Sequence, residues 1–259
     1  MAETPKPDAA LAAHLAAAVN PALDADARTE AIDAIVESAE SAPLPEEAFD
    51  ALIGLLADED VRETALRALT YCPSPRAIEP LIAAIDRERA DNPRWFYGME
   101  VHHLCEALGA CGAGDARALR TLTSLLHVEQ SMYAAKGAYE ALFAMGPKAV
   151  GAKAALEERV SNGPPWERAH AHWALWAQDG DTERHVTALV PILAETKEGG
   201  GSAAAAAKIA LESIGEPALA VLEREKAFGA ALAKKATAVA ESIRARMQRK
   251  AQRALAQAK

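Results

Sequence analysis

The amino-acid sequence predicts an all-α protein, an α-solenoid of about seven antiparallel helix pairs. Alanine, the residue with the highest helix propensity, dominates the chain, whereas aromatic residues make up only 5% of it. Apolar residues recur at the three- and four-residue spacing of amphipathic helices. Gly-Pro, Ser-Pro and Asp-Gly pairs separate these periodic segments into single short helices, which is typical of a helical repeat protein.

Residues 58–69, DEDVRETALRAL, form the clearest example of the repeated helix. Asp58 or Asp60 is predicted to cap its start, because a carboxylate accepts hydrogen bonds from the free N–H groups of the first turn. Its apolar positions are Val61, Ala65, Ala68 and Leu69. The same register returns at 24–36, 99–112, 134–146, 167–180 and 203–215. Partner helices are predicted at 74–89, 115–127, 146–160, 181–195 and 215–226.

This pattern resembles the HEAT-repeat family, including the lyase-type HEAT-like repeats of bacteria. The resemblance rests on the run Asp60-Val61-Arg62 with its following apolar positions, and on the junctions ALFAMGPKAVGAKAAL and ALESIGEPALAVLERE. The repeat arginine is kept at Arg28, Arg62 and Arg168, and is replaced by Val101, Ala135 and Ala204. The resemblance implies that the second helix of each pair lines the concave face of a superhelix, where stacked repeats share one core.

The repeats define the expected domain organisation. The first pair is predicted at 8–40 and the last at 216–250, so residues 8–250 are expected to form a single solenoid domain. Residues 1–7 are expected to be a flexible N-terminus, and residues 251–259 a basic C-terminal tail.

Charge is distributed unevenly along the chain, whose formal net charge is −9. Residues 1–223 hold 18 Lys and Arg against 35 Asp and Glu, a net charge of −17, which disfavours duplex nucleic acid as a partner. Residues 224–259 hold 10 against 2, a net charge of +8. Two interpretations of this basic segment stay open: it attracts an anionic partner, or its cations merely suit the C-terminal dipole of a solvated helix.

The sequence favours a cytoplasmic location. Its three cysteines form no CxxC pair and no even set for disulfides, which suits a reducing compartment. The N-terminus lacks the basic and apolar regions of a signal peptide, and no apolar run is long enough to span a membrane.

A helical wheel, turning about 100° per residue, identifies the side of each second helix that faces away from the core. In the second repeat these outward positions are Asp60, Glu63, Arg67 and Thr70, an ordinary solvated surface. In repeats 3 to 5 they carry aromatic, acidic and basic residues. These predicted binding residues are Trp95, Met99, His102, Glu106, Tyr133, Lys136, Glu140, Phe143, Trp166, Trp173 and Trp176. Such a large apolar surface is seldom left exposed, so the tryptophans are covered either by a ligand or by the protein itself.

Metal binding and catalysis are not expected from these residues. His102 and Glu106 share a helix face and are suited to hold one ion or proton, but repeat 3 alone offers too few ligands. His103, His170 and His172 point sideways and are expected to form hydrogen bonds between helices. The chain has no His-Glu dipeptide of the di-iron HEAT-like hydroxylases and no nucleotide, hydrolase or zinc motif. We therefore expect no metal and no cofactor, and we expect that the chain is not an enzyme.

The function predicted from these observations is a protein-binding adaptor. A peptide or partner helix would lie in the groove of repeats 3 to 5, with the tryptophans as anchors and Glu106 and Glu140 pairing with its cations. One alternative is a carrier or lyase-type protein for a flat, tetrapyrrole-like chromophore, with His102 or Lys136 contacting its carboxylates. Another is a structural spacer in which the aromatic rings pack on one another. The sequence leaves the oligomeric state open.

Overall fold

The computed structural model describes residues 9–91, 99–126, 132–195, 203–224 and 229–257. These residues contain fourteen α-helices and no strand, so the predicted all-α class is confirmed. The helices fall into two compact units, residues Met1–Met145 and Gly146–Lys259. Over the described ranges, no helix has the length and apolar character needed to cross a membrane.

Unit 1 is a two-layered stack of helix pairs. Its helices are α1 (Ala9–Ala18), α2 (Ala25–Ser41), α3 (Glu46–Gly54), α4 (Arg62–Tyr71), α5 (Ile78–Asp91), α6 (Met99–Cys111), α7 (Ala116–Leu125) and α8 (Met132–Met145). The even-numbered helices pack on one another in chain order, and each also packs on its odd-numbered partner. This is the arrangement of an α-solenoid, in which each pair shares its apolar surface with the next.

Unit 2 continues the same pairing. Its helices are α9 (Lys153–Asn162), α10 (Pro165–Asp179), α11 (Thr182–Ile192), α12 (Ala203–Ile214), α13 (Glu216–Arg224) and α14 (Ala230–Gln257). α10 packs on α12, and α12 packs on α14, while α11 packs on α13. Residues 251–257 belong to α14, the longest described helix.

Short polar and glycine signals set the helix boundaries. Asp24, Asp115 and Asp181 cap α2, α7 and α11 through hydrogen bonds from N–H groups of the first turn. Gly180 and Gly215 end α10 and α12 with φ of 69° and 74°, a left-handed conformation that glycine adopts without steric cost. These capping residues therefore set one end of each of these five helices.

The cap predicted for α4 is wrong. Its N-cap residue is Val61, and no side chain caps this helix. The Asp58 carboxylate instead pairs with the Arg28 guanidinium at 2.5 Å, and Arg28 holds its pKa below the usual range. Asp60 supplies only a backbone N–H to Asp58. A buried arginine from the previous repeat is a stronger partner for this carboxylate than the backbone amides of α4.

The repeated arginine joins consecutive repeats. Arg28 Nε donates to the carbonyl of Ala18, 3.0 Å away at the end of α1. Arg62 Nε donates in the same way to the carbonyl of Leu56, 2.9 Å away, just after α3. Each arginine therefore satisfies a backbone acceptor at the end of the preceding helix. Arg168 departs from this pattern, since its Nε is buried with no hydrogen-bond partner among the described residues.

Candidate functional site

Three side chains predicted to face outward meet on the even-numbered helices of unit 1. His102 and Glu106 lie one turn apart on α6, and Glu140 lies on α8. His102 Nε2 is 3.1 Å from Glu140 Oε2 and 3.5 Å from Glu106 Oε1. The structure thus brings the three side chains into contact, although His102 is buried and is not exposed as its predicted outward position implied. We call the three residues the His102 cluster.

Two flanking side chains hold the outer oxygens of the cluster. His103 Nδ1 lies 3.1 Å from Glu106 Oε2, and Lys136 Nζ lies 3.7 Å from Glu140 Oε1. Each glutamate thus turns one oxygen toward His102 and the other toward a flanking group. His103, which was expected to form hydrogen bonds between helices, orients a carboxylate of the cluster with Nδ1 and lies 3.8 Å from Glu63 of α4 with Nε2.

Small residues bring α6 and α8 close enough for this contact. A Cβ built on Gly137 would lie 2.9 Å from the Cα of His102, and one built on Gly109 would lie 2.7 Å from the Cβ of Ala141. Larger side chains at these two glycines would push the helices apart, because close packing leaves no space between the backbones. The glycines therefore position Glu140 opposite His102.

The two carboxylates of the cluster titrate differently. Hydrogen bonds from His102 and then His103 hold the pKa of Glu106 below its usual range, despite partial burial. Burial raises the pKa of Glu140, and the nearby charge of Glu106 acts in the same direction, against the attraction of His102 and Lys136. The site thus combines an ionised carboxylate with one that retains its proton to a higher pH.

A hollow of about 230 Å³ lies beside the cluster, between α4 and α6. Its lining residues are Glu63, Arg67, Thr70, Tyr71, His103 and Glu106. Tyr71 is 70% exposed, and Arg67 pairs with Asp33 at 2.9 Å while half of its side chain stays in solvent. Glu63, Arg67 and Thr70 were expected to form ordinary solvated surface, and Tyr71 was not among the predicted binding residues. The sequence feature that points to this hollow is an aromatic residue, Tyr71, at the end of the repeated helix.

The predicted tryptophan surface is only partly present. Trp173 is buried, with 7% of its surface exposed, so the protein itself covers this ring and Trp173 is not an exposed binding residue. Its ring centroid lies 6.3 Å from that of His170, which is also buried. Trp166 and Trp176 are intermediate in exposure, and Trp176 Nε1 donates to Thr182 Oγ1 at 3.1 Å. A helical wheel gives the direction of a side chain around its own helix. It does not show whether neighbouring elements cover that side chain.

The remaining predicted residues differ in how far the structure describes them. Tyr133 and Phe143 are intermediate in exposure on α8. Trp95 and the side chain of Met99 lie outside the described residues. The described part of the predicted surface is thus concentrated on α6 and α8 in unit 1 and on α10 in unit 2.

Unit 2 contains a chain of polar contacts that involves two buried histidines. His172 was predicted to point sideways and to form hydrogen bonds between helices. His172 Nδ1 lies 3.0 Å from His185 Nδ1, and His185 Nε2 lies 3.2 Å from Asp179. Because Asp179 accepts the Nε2 proton of His185, the His185 Nδ1 accepts from the Nδ1–H of His172. Burial lowers the pKa of His172 to about 4 and also lowers that of His185. Both rings are therefore neutral at pH 7.

The basic segment forms a second hollow, of about 600 Å³, between the end of α12 and the second half of α14. Its cationic lining residues are Arg246, Arg249, Lys250 and Arg253. Four cations directed at one hollow create a local positive potential that attracts anions. An acidic residue, Glu212, also lines this hollow.

Comparisons with known proteins concern the fold. No protein-family model matches the sequence, and no curated protein matches it. Among solved structures, it is similar to a chain in the complex of CpcE and CpcF of phycocyanin lyase from Nostoc sp. PCC7120. The two chains are 19% identical with a TM-score of 0.53, and the match covers 94% of this chain and 99% of that one. The chain therefore has a HEAT-like helical-repeat fold, as its sequence predicted.

Proposed function

We propose that the chain is a lyase-type or carrier protein that holds an open-chain tetrapyrrole-like ligand and works with a protein partner. The observation that carries the proposal is the likeness to a phycocyanin lyase chain, which runs over nearly the whole length of both chains. That chain was solved in a complex of two proteins, which supports a protein partner here as well. This proposal replaces the adaptor as the leading interpretation.

The polar surface of unit 1 has the chemistry that such a ligand requires. An open-chain tetrapyrrole presents N–H donors along its length and carboxylates on its side chains. Glu63, Glu106 and Glu140 offer acceptors on α4, α6 and α8, while Arg67 and Lys136 offer cations beside them. Neighbouring helices are about 8–10 Å apart, so the surface extends about 20 Å. An elongated ligand can therefore contact both kinds of group at once.

Tyr71 gives this surface an aromatic platform. Its ring is mostly in solvent at the end of α4, where it borders the α4–α6 hollow. A flat conjugated molecule that covers the ring would bury apolar area and gain a stacking contact. The proposed binding surface thus has an aromatic end at α4 and a carboxylate-rich centre at α6 and α8.

The test is a titration of the purified protein with biliverdin, an open-chain tetrapyrrole, followed by absorbance and fluorescence. We expect a saturable spectral shift, with the affinity reduced about tenfold by Arg67→Ala, which corresponds to one lost charge-assisted contact. Tyr71→Ala is expected to reduce it by a similar factor.

Arg76→Ala is the matched control. Arg76 is a comparably exposed arginine of unit 1 that is also paired with a carboxylate, Asp50, but it lies outside the α4–α6 hollow. Its replacement is expected to leave biliverdin affinity unchanged. The absence of any spectral shift with the wild type, or equal losses from Arg67→Ala and Arg76→Ala, would contradict the proposal.

The second candidate is the predicted adaptor, for which the observation is the row of glutamates on unit 1. A lysine- and arginine-rich helical peptide would pair with Glu63, Glu106 and Glu140, whereas buried Trp173 is not available as an anchor. Anisotropy of a labelled basic peptide tests this candidate: binding that weakens with salt and is lost in Glu63→Gln/Glu106→Gln supports it. Peptide binding without any biliverdin binding would favour the adaptor over the carrier.

Partner binding and location complete the proposal. An acidic segment of the partner would dock in the basic hollow of α12 and α14, where Arg249 and Arg253 supply positive charge. The three cysteines are buried free thiols, which supports a reducing, cytoplasmic location.

A further inference from the structure

The donor atoms of the His102 cluster have the spacing of a metal site. One nitrogen and two carboxylate oxygens, from His102, Glu106 and Glu140, lie within 4.8 Å of one another. A tetrahedral ion with bonds of about 2.0–2.1 Å separates its ligands by about 3.3 Å. The two contacts of His102 Nε2, at 3.1 and 3.5 Å, bracket that value.

We propose that the His102 cluster binds one divalent transition-metal cation such as Zn²⁺, through His102 Nε2 and one oxygen each of Glu106 and Glu140. Imidazole nitrogen and carboxylate oxygen are both accepted ligands of this ion. The inference requires no tetrapyrrole, although it uses two carboxylates, Glu106 and Glu140, of the surface on which the proposed function rests. It also corrects the prediction that repeat 3 alone must supply the ligands, because Glu140 comes from the next repeat.

Charge balance favours a dication over a proton at this position. Two glutamate oxygens converge on a single ring nitrogen, which carries at most one hydrogen and so satisfies only one of them well. A divalent cation contacts both oxygens and the nitrogen at once, and its two positive charges neutralise both carboxylates. This matters because Glu140 is only 23% exposed, and a partly buried charge is costly unless it is paired.

His102 is directed into the cluster. Its side chain is more than nine-tenths buried, at 8% exposure, and its Nδ1 has no hydrogen-bond partner among the described residues. Nε2 is therefore the ring nitrogen through which this histidine makes its described polar contacts. This nitrogen and the two carboxylate oxygens therefore form a set of three ligands for one cation.

The surroundings supply an outer contact for one of the carboxylates and access from solvent. His103 holds the outer oxygen of Glu106, as hydrogen-bonding groups around metal sites commonly do for ligating carboxylates. Glu106 is 38% exposed, so an ion can reach the cluster from solvent. Three protein ligands leave at least one coordination position for water or for another bound molecule, the arrangement of an open rather than a closed zinc site.

The experiment is calorimetric titration of the tag-free, chelator-treated full chain with Zn²⁺, in the absence of any tetrapyrrole. We expect one ion per chain with a dissociation constant in the micromolar range or below. Replacement with Co²⁺ should give visible d–d absorption of the intensity typical of low coordination number. Failure of the wild type to bind either ion at millimolar concentration would overturn the proposal.

Variants connect the ion to the two carboxylate ligands. Glu140→Gln and Glu106→Gln are each expected to lower Zn²⁺ affinity at least tenfold and to weaken the Co²⁺ band. Two variants are used so that a folding defect in one, detected by circular dichroism, leaves the other informative. Glu79→Gln is the matched control, because Glu79 is an exposed glutamate of unit 1 that lies on α5 and pairs with Arg117, so Zn²⁺ affinity is expected to stay unchanged. Equal affinity in Glu140→Gln, Glu106→Gln and wild type would overturn the assignment.

Lys136 provides a test with the opposite sign. Its ammonium lies 3.7 Å from Glu140 Oε1 and competes with a cation for that carboxylate. Lys136→Ala is therefore expected to raise Zn²⁺ affinity about two- to fivefold. Lower Zn²⁺ affinity in this variant would contradict the proposed role of Glu140. A loss of biliverdin binding with unchanged Zn²⁺ binding would contradict only the proposed function.

Discussion

The two units place buried histidines in different electrostatic environments. In unit 1, His102 contacts both Glu106 and Glu140, so its ring faces two carboxylates, of which Glu106 is partly open to solvent. In unit 2, His172 and His185 contact each other inside the fold, and burial lowers the pKa of both. The difference teaches that a buried histidine serves either a polar site or internal packing according to its neighbours. Each prediction below tests one side of this contrast.

The largest expected effect concerns the buried aromatic residue of unit 2. Trp173→Ala removes a side chain that is 7% exposed, and we expect a loss of about 3–5 kcal/mol in the free energy of unfolding, because a cavity remains. Urea unfolding measures this change. Trp176→Ala is the matched control on the same helix, and its greater exposure predicts a smaller loss. Equal losses would contradict the packing role assigned to Trp173.

The next effect is the acid sensitivity of the buried histidines. The folded-state pKa of His172 is about 4, below its unfolded value, so the unfolded state binds more protons as the pH falls. Stability is therefore fully present above about pH 6.5 and declines toward pH 4. Between pH 7 and pH 5 we expect a loss of about 2 kcal/mol from this residue.

Urea unfolding of wild type and His172→Gln at both pH values measures that loss. The variant starts less stable at pH 7, because His185 loses its buried partner, but its stability should depend less on pH. Parallel pH dependence in the two proteins would show that His172 is not the responsible group.

A smaller effect is expected where α6 and α8 approach in unit 1. Gly137→Ala would place a Cβ 2.9 Å from the backbone of His102, which the helices relieve only by moving apart. Overpacking costs about 1–3 kcal/mol, offset by about 1 kcal/mol from the better helix propensity of alanine, so the net loss is about 1 kcal/mol. Thermal and urea unfolding measure it.

Gly54→Ala is the control for this glycine, because nothing lies within 4 Å of its added Cβ. The same substitution in the same unit should stabilise the protein by about 0.5–1 kcal/mol. A stabilising Gly137→Ala would contradict the close approach that positions Glu140.

The smallest effect is expected at the exposed edge of the polar surface. Glu63 is 77% exposed and lies 3.8 Å from His103, so Glu63→Gln should change the free energy of unfolding by less than about 0.5 kcal/mol. Denaturation at low and high salt checks this. A larger change would mean that Glu63 contributes to the stability of the fold.

Much of the architecture was predictable because helix periodicity and turn residues act locally. Helical spacing also placed His102, Glu106 and Glu140 on one side of adjacent second helices, where the structure brings them together. Pairings between first and second helices were not predictable in this way. His185 lies on α11 and His172 on α10, so no single wheel brings them together. Whether Trp173 is covered likewise depends on elements that surround α10 and not on its own sequence.

The arginine bonds between repeats have a mechanical consequence. Arg28 ties the end of α1 to Asp58, and Arg62 ties the segment after α3 to Glu88 and Glu100. Because repeats contact chiefly their neighbours, a pulling force on the N-terminal side would release one pair at a time. Release of the first two pairs must break the charged links of Arg28 and Arg62. Unit 1 is thus expected to extend in steps, with the Arg28 link as the first to resist.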